Sequence, residues 1–119
     1  MIIHGETVED AGAFAREHCR TRDLTFVHPY DDLLIIAGQG TVALEMLEAV
    51  PVLDVLVVPI GGGGLISGIA VAAKALKPSL KIIGVEAKLY PSMYNVINNT
   101  HLPMRGDTWP RALPSRHPA

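Results

Sequence analysis

The sequence has a single cysteine, Cys19, so the chain holds no disulfide framework and no cysteine-based metal cluster. Aromatic residues make up 5% of it, and the net charge is −2 without a basic run, which argues against nucleic-acid binding. No apolar run is long enough to cross a bilayer, and the N-terminus lacks the basic and apolar parts of a signal peptide. We therefore expect a cytoplasmic protein without nucleic-acid or membrane partners, and 119 residues suit one compact domain at most.

Glycine is concentrated at one place, where residues 61–64 follow the apolar run 53–60 and precede the apolar segment 65–76. Glycine lets the backbone approach a ligand closely, and the first amides of a helix have no intrahelical partner. The spacing of the glycines matches neither the P-loop nor the dinucleotide fingerprint. The alternative to a ligand site is a tight turn with no binding role. We predict a phosphate site made of Gly61, Gly62, Gly63, Gly64 and Leu65.

Strand and helix signals alternate along the chain. Short apolar or β-branched runs predict strands at residues 1–4, 24–28, 53–60 and 81–86, and apolar residues at helical spacing predict helices at 8–22, 42–49, 65–76 and 93–97. The run 53–60 is apolar throughout, which is typical of a strand covered on both faces. We predict an α/β fold with three layers, a mainly parallel sheet with helices on both faces, and the glycine loop at the sheet's carboxyl edge, where ligands bind.

Polar residues mark the expected helix starts and loops. Thr7 with Asp10 three residues later predicts a capping box, and Thr41 predicts the start of the second helix. The residues expected on that helix's buried face are Val42, Met46 and Leu47. Asp31 and Asp32 predict a loop with an Asx-turn. The residues that could line the crevice beside the glycine loop are Gln39 and Thr41.

Several short motifs stand in the order and spacing of a known family. They are His4-Gly5-Glu6-Thr7, Phe26-Val27-His28-Pro29-Tyr30-Asp31-Asp32, Ile36-Ala37-Gly38-Gln39-Gly40-Thr41, the glycine loop and Ile82-Ile83-Gly84-Val85-Glu86. Together they resemble the threonine dehydratases, or threonine ammonia-lyases, which are pyridoxal-phosphate enzymes of fold type II. Two later motifs strengthen the likeness: Tyr90-Pro91-Ser92-Met93-Tyr94 and Leu102-Pro103-Met104-Arg105-Gly106-Asp107-Thr108.

The resemblance implies a part of a fold type II domain. Residues 1–30 would be a remnant of the small domain, 31–108 part of the large cofactor-binding domain, and 109–119 an irregular tail. The cofactor would be pyridoxal phosphate, with its phosphate on the amides of residues 61–65, and the substrate an amino acid. The family reaction removes water from threonine and gives 2-oxobutanoate and ammonia, a step in amino-acid metabolism and isoleucine biosynthesis.

The chain departs from the family at the chemical centre. The resemblance implies a Schiff-base lysine in a Ser-x-Lys-x-Arg-like motif upstream of this segment, but the chain's lysines are Lys74, Lys77, Lys81 and Lys88. Lys74 and Lys77 would lie about 15 Å from the phosphate site, given the rise of a helix. We therefore expect a central slice of the enzyme with no catalytic residue and no turnover alone. Residues 109–116 also depart from the family pattern, and a compensated pair of frameshifts is one hypothesis for them.

Two other functions remain open at this point: a small stand-alone anion- or nucleotide-binding protein, and a structural or assembly fragment. Uncovered strand edges and apolar faces predict a homo-oligomer. Glu86, at the end of a predicted strand, could be a metal ligand, and the resemblance implies that Tyr90 and Ser92 would join it, but Ser92 is a poor cation ligand. We favour a carboxylate that is hydrogen-bonded to nearby backbone, and we predict no metal site.

Overall fold

The computed structural model describes residues 2–104. Its elements are α1 (Val8–Thr21), α2 (Leu33–Ala49), β1 (Val55–Pro59), α3 (Gly64–Leu76), β2 (Lys81–Val85) and α4 (Ser92–Asn98). None of the helices in this part of the chain combines the length and apolarity of a membrane span. The predicted irregular tail at 109–119 lies outside the described residues.

The two strands form a parallel pair, in register from Val55 beside Lys81 to Pro59 beside Val85, and α3 connects them. This confirms the α/β fold class and the parallel sheet. The prediction that strand 53–60 is covered on both faces is wrong within residues 2–104. Alternate side chains of a strand point to opposite faces, and here only Leu56 and Val58 are buried, whereas Val57 is 63% exposed. Strand β2 is largely exposed too.

The core lies between α2, α3 and the inner face of the sheet. Its buried members are Ala43, Leu47, Leu56, Val58, Ile69, Ala73 and Leu80. The two helices cross at Gly40 and Gly68, where a Cβ on Gly68 would lie 2.7 Å from the Gly40 amide nitrogen. Such an approach is open only to glycine, and it lets the two helices pack closely here.

Helix α2 is longer than predicted. It begins at Leu33 because Asp32, expected in a loop, caps it: Asp32 Oδ1 accepts hydrogen bonds from the amides of Leu34 at 2.8 Å and Ile35 at 3.1 Å. Thr41 is therefore not a cap but lies mid-helix, with its hydroxyl donating to the Gly38 carbonyl oxygen at 2.8 Å. Of the three residues expected on the buried face, only Leu47 is buried; the exposed ones are Val42 and Met46.

The N-terminal segment contains a helix but no strand. The predicted strands at 1–4 and 24–28 are wrong for the described residues, because an isolated segment without a neighbouring strand has no ladder to join. The predicted capping box of α1 is confirmed: Thr7 Oγ1 accepts from the Asp10 amide and Asp10 Oδ2 from the Thr7 amide, each at 3.1 Å. The fourth predicted helix is also present, as α4.

Candidate functional site

The glycine loop lies where β1 ends and α3 begins. The Ile60 amide still pairs with the Val85 carbonyl oxygen at 2.8 Å, and the helix starts four residues later at Gly64. Gly63 sits before the helix with φ of +90°, in the left-handed region that disfavours other residues. The loop therefore turns the chain from the carboxyl edge of the sheet directly into a helix.

The amides of the loop are free of protein partners. Within residues 2–104, no hydrogen bond joins the N–H group of any residue from Gly61 to Leu65 to another protein atom. The helix cap at Gly63 likewise has no side-chain hydrogen bond. The positive end of the α3 dipole lies at this point, so these donors can bind an anion.

A pocket of about 380 Å³ opens beside these amides. Residues 59–65 form one wall, and the other lining residues are Pro29, Tyr30 and Gln39. Of the two predicted crevice residues, Gln39 thus lines the pocket. Thr41 is not among the lining residues.

Tyr30 packs directly on the loop. A Cβ on Gly62 would collide with the Tyr30 ring, and a Cβ on Gly64 would lie 2.5 Å from the Tyr30 carbonyl oxygen. By contrast, a Cβ on Gly61 would meet no atom within 4 Å. Sequence reasoning missed this role for Tyr30, although the residue lies in one of the family motifs. The turn that carries it is held by His28, whose Nδ1 accepts from the Tyr30 and Asp31 amides at 3.3 and 2.8 Å.

These features suit the phosphate of a cofactor. Unpaired amides converge at a helix N-terminus, no Cβ from the glycines intrudes, and the volume beside them is open. The polar side chains among the lining residues belong to Tyr30 and Gln39. The described site can therefore hold an anion, but it presents no amine or carboxylate with which to carry out a reaction.

The lysines lie elsewhere. Lys74 Nζ donates to the Pro78 carbonyl oxygen at 3.0 Å, and Lys77 Nζ to that of Leu53 at 2.5 Å, both at the end of α3 remote from the loop. Lys81 begins β2, opposite the carboxyl edge. Lys88 lines a different pocket, between β2 and α4.

Glu86 accepts backbone hydrogen bonds, as predicted. Its carboxylate binds the amides of Met93 at 2.7 Å and Tyr94 at 2.8 Å, and the Ser92 hydroxyl at 3.0 Å. Burial raises the pKa of Glu86, but these hydrogen bonds together outweigh it, so the pKa lies below its ordinary value. Within the described part of the chain, no group of three or more His, Cys, Asp or Glu side chains is arranged to hold a metal ion.

Comparisons of the sequence with known proteins agree on one family. Residues 1–116 match the family model described as pyridoxal-phosphate dependent enzyme. The chain is 45% identical over 93 residues to the L-threonine ammonia-lyase of Thermotoga maritima and 47% identical over 88 residues to the biosynthetic L-threonine dehydratase IlvA of Haemophilus influenzae. These matches cover 78% and 74% of the chain, but only 23% and 17% of the relatives.

Solved structures show the same likeness. The chain superposes on maize serine racemase with a TM-score of 0.74 and 37% identity, covering 86% of this chain and 31% of that one. The processed form of threonine deaminase isoform 2 from Solanum lycopersicum gives a TM-score of 0.73 and 34% identity, with 83% and 28% covered. The chain thus spans between a sixth and a third of the proteins named here.

Proposed function

The chain belongs to the family of pyridoxal-phosphate-dependent enzymes, and from that premise we propose that it forms the phosphate-binding part of a threonine dehydratase. The observation that carries the proposal is the run of unpaired amides at residues 61–65, closed on one side by Tyr30. The curated relatives named as threonine ammonia-lyase and threonine dehydratase support the choice of substrate.

When bound, pyridoxal phosphate supplies the electron sink that such a reaction needs. The chain's own part is to bind and orient. The amides of residues 61–65 donate to the phosphate, and the α3 dipole adds favourable charge. Tyr30 holds the loop in one conformation because its ring and carbonyl group contact Gly62 and Gly64. Because the loop is already fixed, less conformational entropy is lost when the phosphate binds.

We further propose the division that the family likeness suggests, with residues 1–30 as part of a small domain and 31–108 as part of the large cofactor-binding domain. In this division α2, capped by Asp32, would be the first helix of the large domain. Tyr30, just before the boundary, would contact the glycine loop of the large domain from the other side.

Turnover needs an amine near the cofactor, and the lysines of this chain lie elsewhere. We therefore propose that the chain alone binds pyridoxal phosphate but does not convert threonine. The test incubates it with threonine and pyridoxal phosphate and measures 2-oxobutanoate. We expect none. Release that is abolished by substituting one of the chain's own lysines would contradict the proposal.

Binding itself is tested by titrating the chain with pyridoxal phosphate and with inorganic phosphate. We expect saturable binding of both, lost in Gly62→Val because the new side chain collides with Tyr30 and displaces the loop. Gly38→Ala is the control, since its Cβ would meet no atom within 4 Å. Binding that survives Gly62→Val would place the ligand elsewhere, and a preference for nucleotides would favour a stand-alone nucleotide-binding protein.

An exposed sheet face supports a second proposal, that copies of the chain associate into a homo-oligomer. The exposed apolar residues of that face are Val55, Val57, Ile83 and Val85, of which Val57 and Ile83 are direct partners across the two strands. Each is between 38% and 63% exposed, which forms an apolar surface that association would cover. Sedimentation should show a species larger than the monomer, and Val57→Lys should shift it to the monomer. A monomer at all concentrations would refute this proposal.

A further inference from the structure

The carboxylate of Glu86 joins the end of β2 to the first turn of α4. Its Oε1 accepts from the Met93 amide and the Ser92 hydroxyl, and its Oε2 accepts from the Tyr94 amide. These are the first groups of a helix whose N-cap residue, Pro91, makes no side-chain hydrogen bond. Glu86 therefore supplies the acceptor that a polar N-cap side chain supplies in other helices.

The same turn of α4 lies against the glycine loop. Ser92 Oγ is 3.5 Å from the Gly61 carbonyl oxygen, and Met93 Cε is 3.1 Å from the position that a Cβ on Gly63 would take. Gly63 is the loop residue with positive φ, and its orientation sets the direction of the amides that follow. The position of α4 therefore limits how far the loop can move.

We propose that Glu86 is a positioning residue for the phosphate site: by holding the first turn of α4 against Gly61 and Gly63, it keeps the loop amides directed at the ligand. The inference rests on the proposed function, because a phosphate at residues 61–65 is its premise. Glu86 itself contacts no ligand in this role and acts through Ser92 and Met93.

The direction in which phosphate affinity changes when Glu86 loses its charge separates this role from simple electrostatics. A carboxylate near an anion site repels the anion, so neutralising it would by charge alone tighten binding. Loss of the hydrogen bonds to α4 would instead release the turn that lies on the loop and weaken binding. Glu86→Gln keeps the size of the side chain and removes its charge, and it replaces one acceptor oxygen by a donor that faces backbone N–H groups.

The experiment compares Glu86→Gln with Glu48→Gln in the full chain, by calorimetric titration with inorganic phosphate and with pyridoxal phosphate. Glu48 is exposed in the last turn of α2, so the control removes the same charge away from the loop. We expect Glu86→Gln to bind roughly three- to tenfold more weakly, the scale of one hydrogen bond, and Glu48→Gln to bind like the unsubstituted chain. Equal or tighter binding by Glu86→Gln overturns the inference while the proposed function stands. An unsubstituted chain that binds neither probe overturns both.

A second variant tests the route through α4. Met93→Ala keeps the backbone amide that Glu86 binds but removes the side chain beside Gly63, and we expect a comparable loss of affinity. Because both substitutions act on the same turn, the double variant should lose less than the two single losses multiplied together. Fully multiplicative losses, or unchanged affinity in Met93→Ala, would overturn the inference. If circular dichroism shows Glu86→Gln to be unfolded, the affinity of Met93→Ala decides alone.

Discussion

The ring of Tyr30 occupies the space into which a side chain at Gly62 would project. The two residues are distant in sequence, one in the segment before α2 and the other after β1, and their contact closes one side of the candidate phosphate site. Glycine is required at position 62 because of this neighbour, since the φ of Gly62 is not positive.

We expect Gly62→Ala to lower the free energy of unfolding by about 1–3 kcal/mol, the usual cost of forcing a methyl group into occupied space. Urea denaturation measures it. Gly61→Ala is the matched control: its Cβ meets nothing, and the lower entropy of the unfolded chain should leave stability equal or slightly higher. Equal destabilisation by both variants would mean that Tyr30 does not pack on the loop.

Removing the ring should relieve the clash. In a Tyr30→Ala background, Gly62→Ala should cost measurably less than in the unsubstituted chain, because the two sites are in direct contact. The double-mutant cycle in urea gives the coupling free energy. A coupling of zero would contradict the contact.

Two glycines of α2 and α3 should respond in opposite ways to substitution by alanine, because one lies at the contact between the helices and the other faces open space. Gly68→Ala would bring a methyl group against the Ile36 carbonyl oxygen and should destabilise the chain by about 1–3 kcal/mol. Gly38→Ala, in α2, meets open space and should stabilise by about 0.5–1 kcal/mol through helix propensity. Thermal unfolding of both variants checks the pair, and a stable Gly68→Ala protein would show that the helices are farther apart.

Local signals in the sequence predicted much of this fold. The Thr7–Asp10 box, the parallel sheet and the glycine loop ahead of α3 all follow from patterns of residues close to one another in the chain. The start of α2 did not, because the cap was predicted at Thr41 and Asp32 was expected in a loop. Gly40 lies within the helix because Gly68 of α3 packs against it, a tertiary contact that propensity does not report.

The contacts of the site were harder to predict than its position. A glycine run after a strand locates the amides, but it does not say which distant residue lies over them, so Tyr30 was missed. The strands expected at 1–4 and 24–28 failed for a related reason, since strand formation depends on a neighbour that local pattern cannot supply.

Acid should weaken the attachment of α4. The pKa of Glu86 lies below its ordinary value of 4.5, because the hydrogen bonds from α4 outweigh the opposing effect of burial. A carboxylate whose pKa is lowered by folding stabilises the folded state at pH values above its unfolded-state pKa. This stabilisation is lost as the pH falls through the folded-state pKa. We therefore expect the amide signals of Met93 and Tyr94 in NMR spectra to titrate below pH 4.5.

Asp10 and Glu17 also have lowered pKa values, because of hydrogen bonds from Thr7 and Arg20 respectively, so overall acid stability does not isolate Glu86. The comparison with Glu86→Gln does. In that variant the Met93 and Tyr94 signals should lose their pH dependence, whereas those around Asp10 keep it. Persisting titration at Met93 would assign the effect to another group.

Substitution of Lys77 tests whether this lysine stabilises the fold or acts at the phosphate site. Its Nζ donates to the Leu53 carbonyl oxygen and lies 3.8 Å from Asp54, whose side chain is 92% exposed, so the ion pair itself adds little. We expect Lys77→Met to lower the free energy of unfolding by about 1 kcal/mol, mainly through the lost hydrogen bond. Phosphate affinity should stay unchanged, since Lys77 caps the end of α3 remote from the loop. Urea denaturation and calorimetric titration of the same sample measure both quantities. Weakened phosphate binding at full stability would show that this amine reaches the ligand.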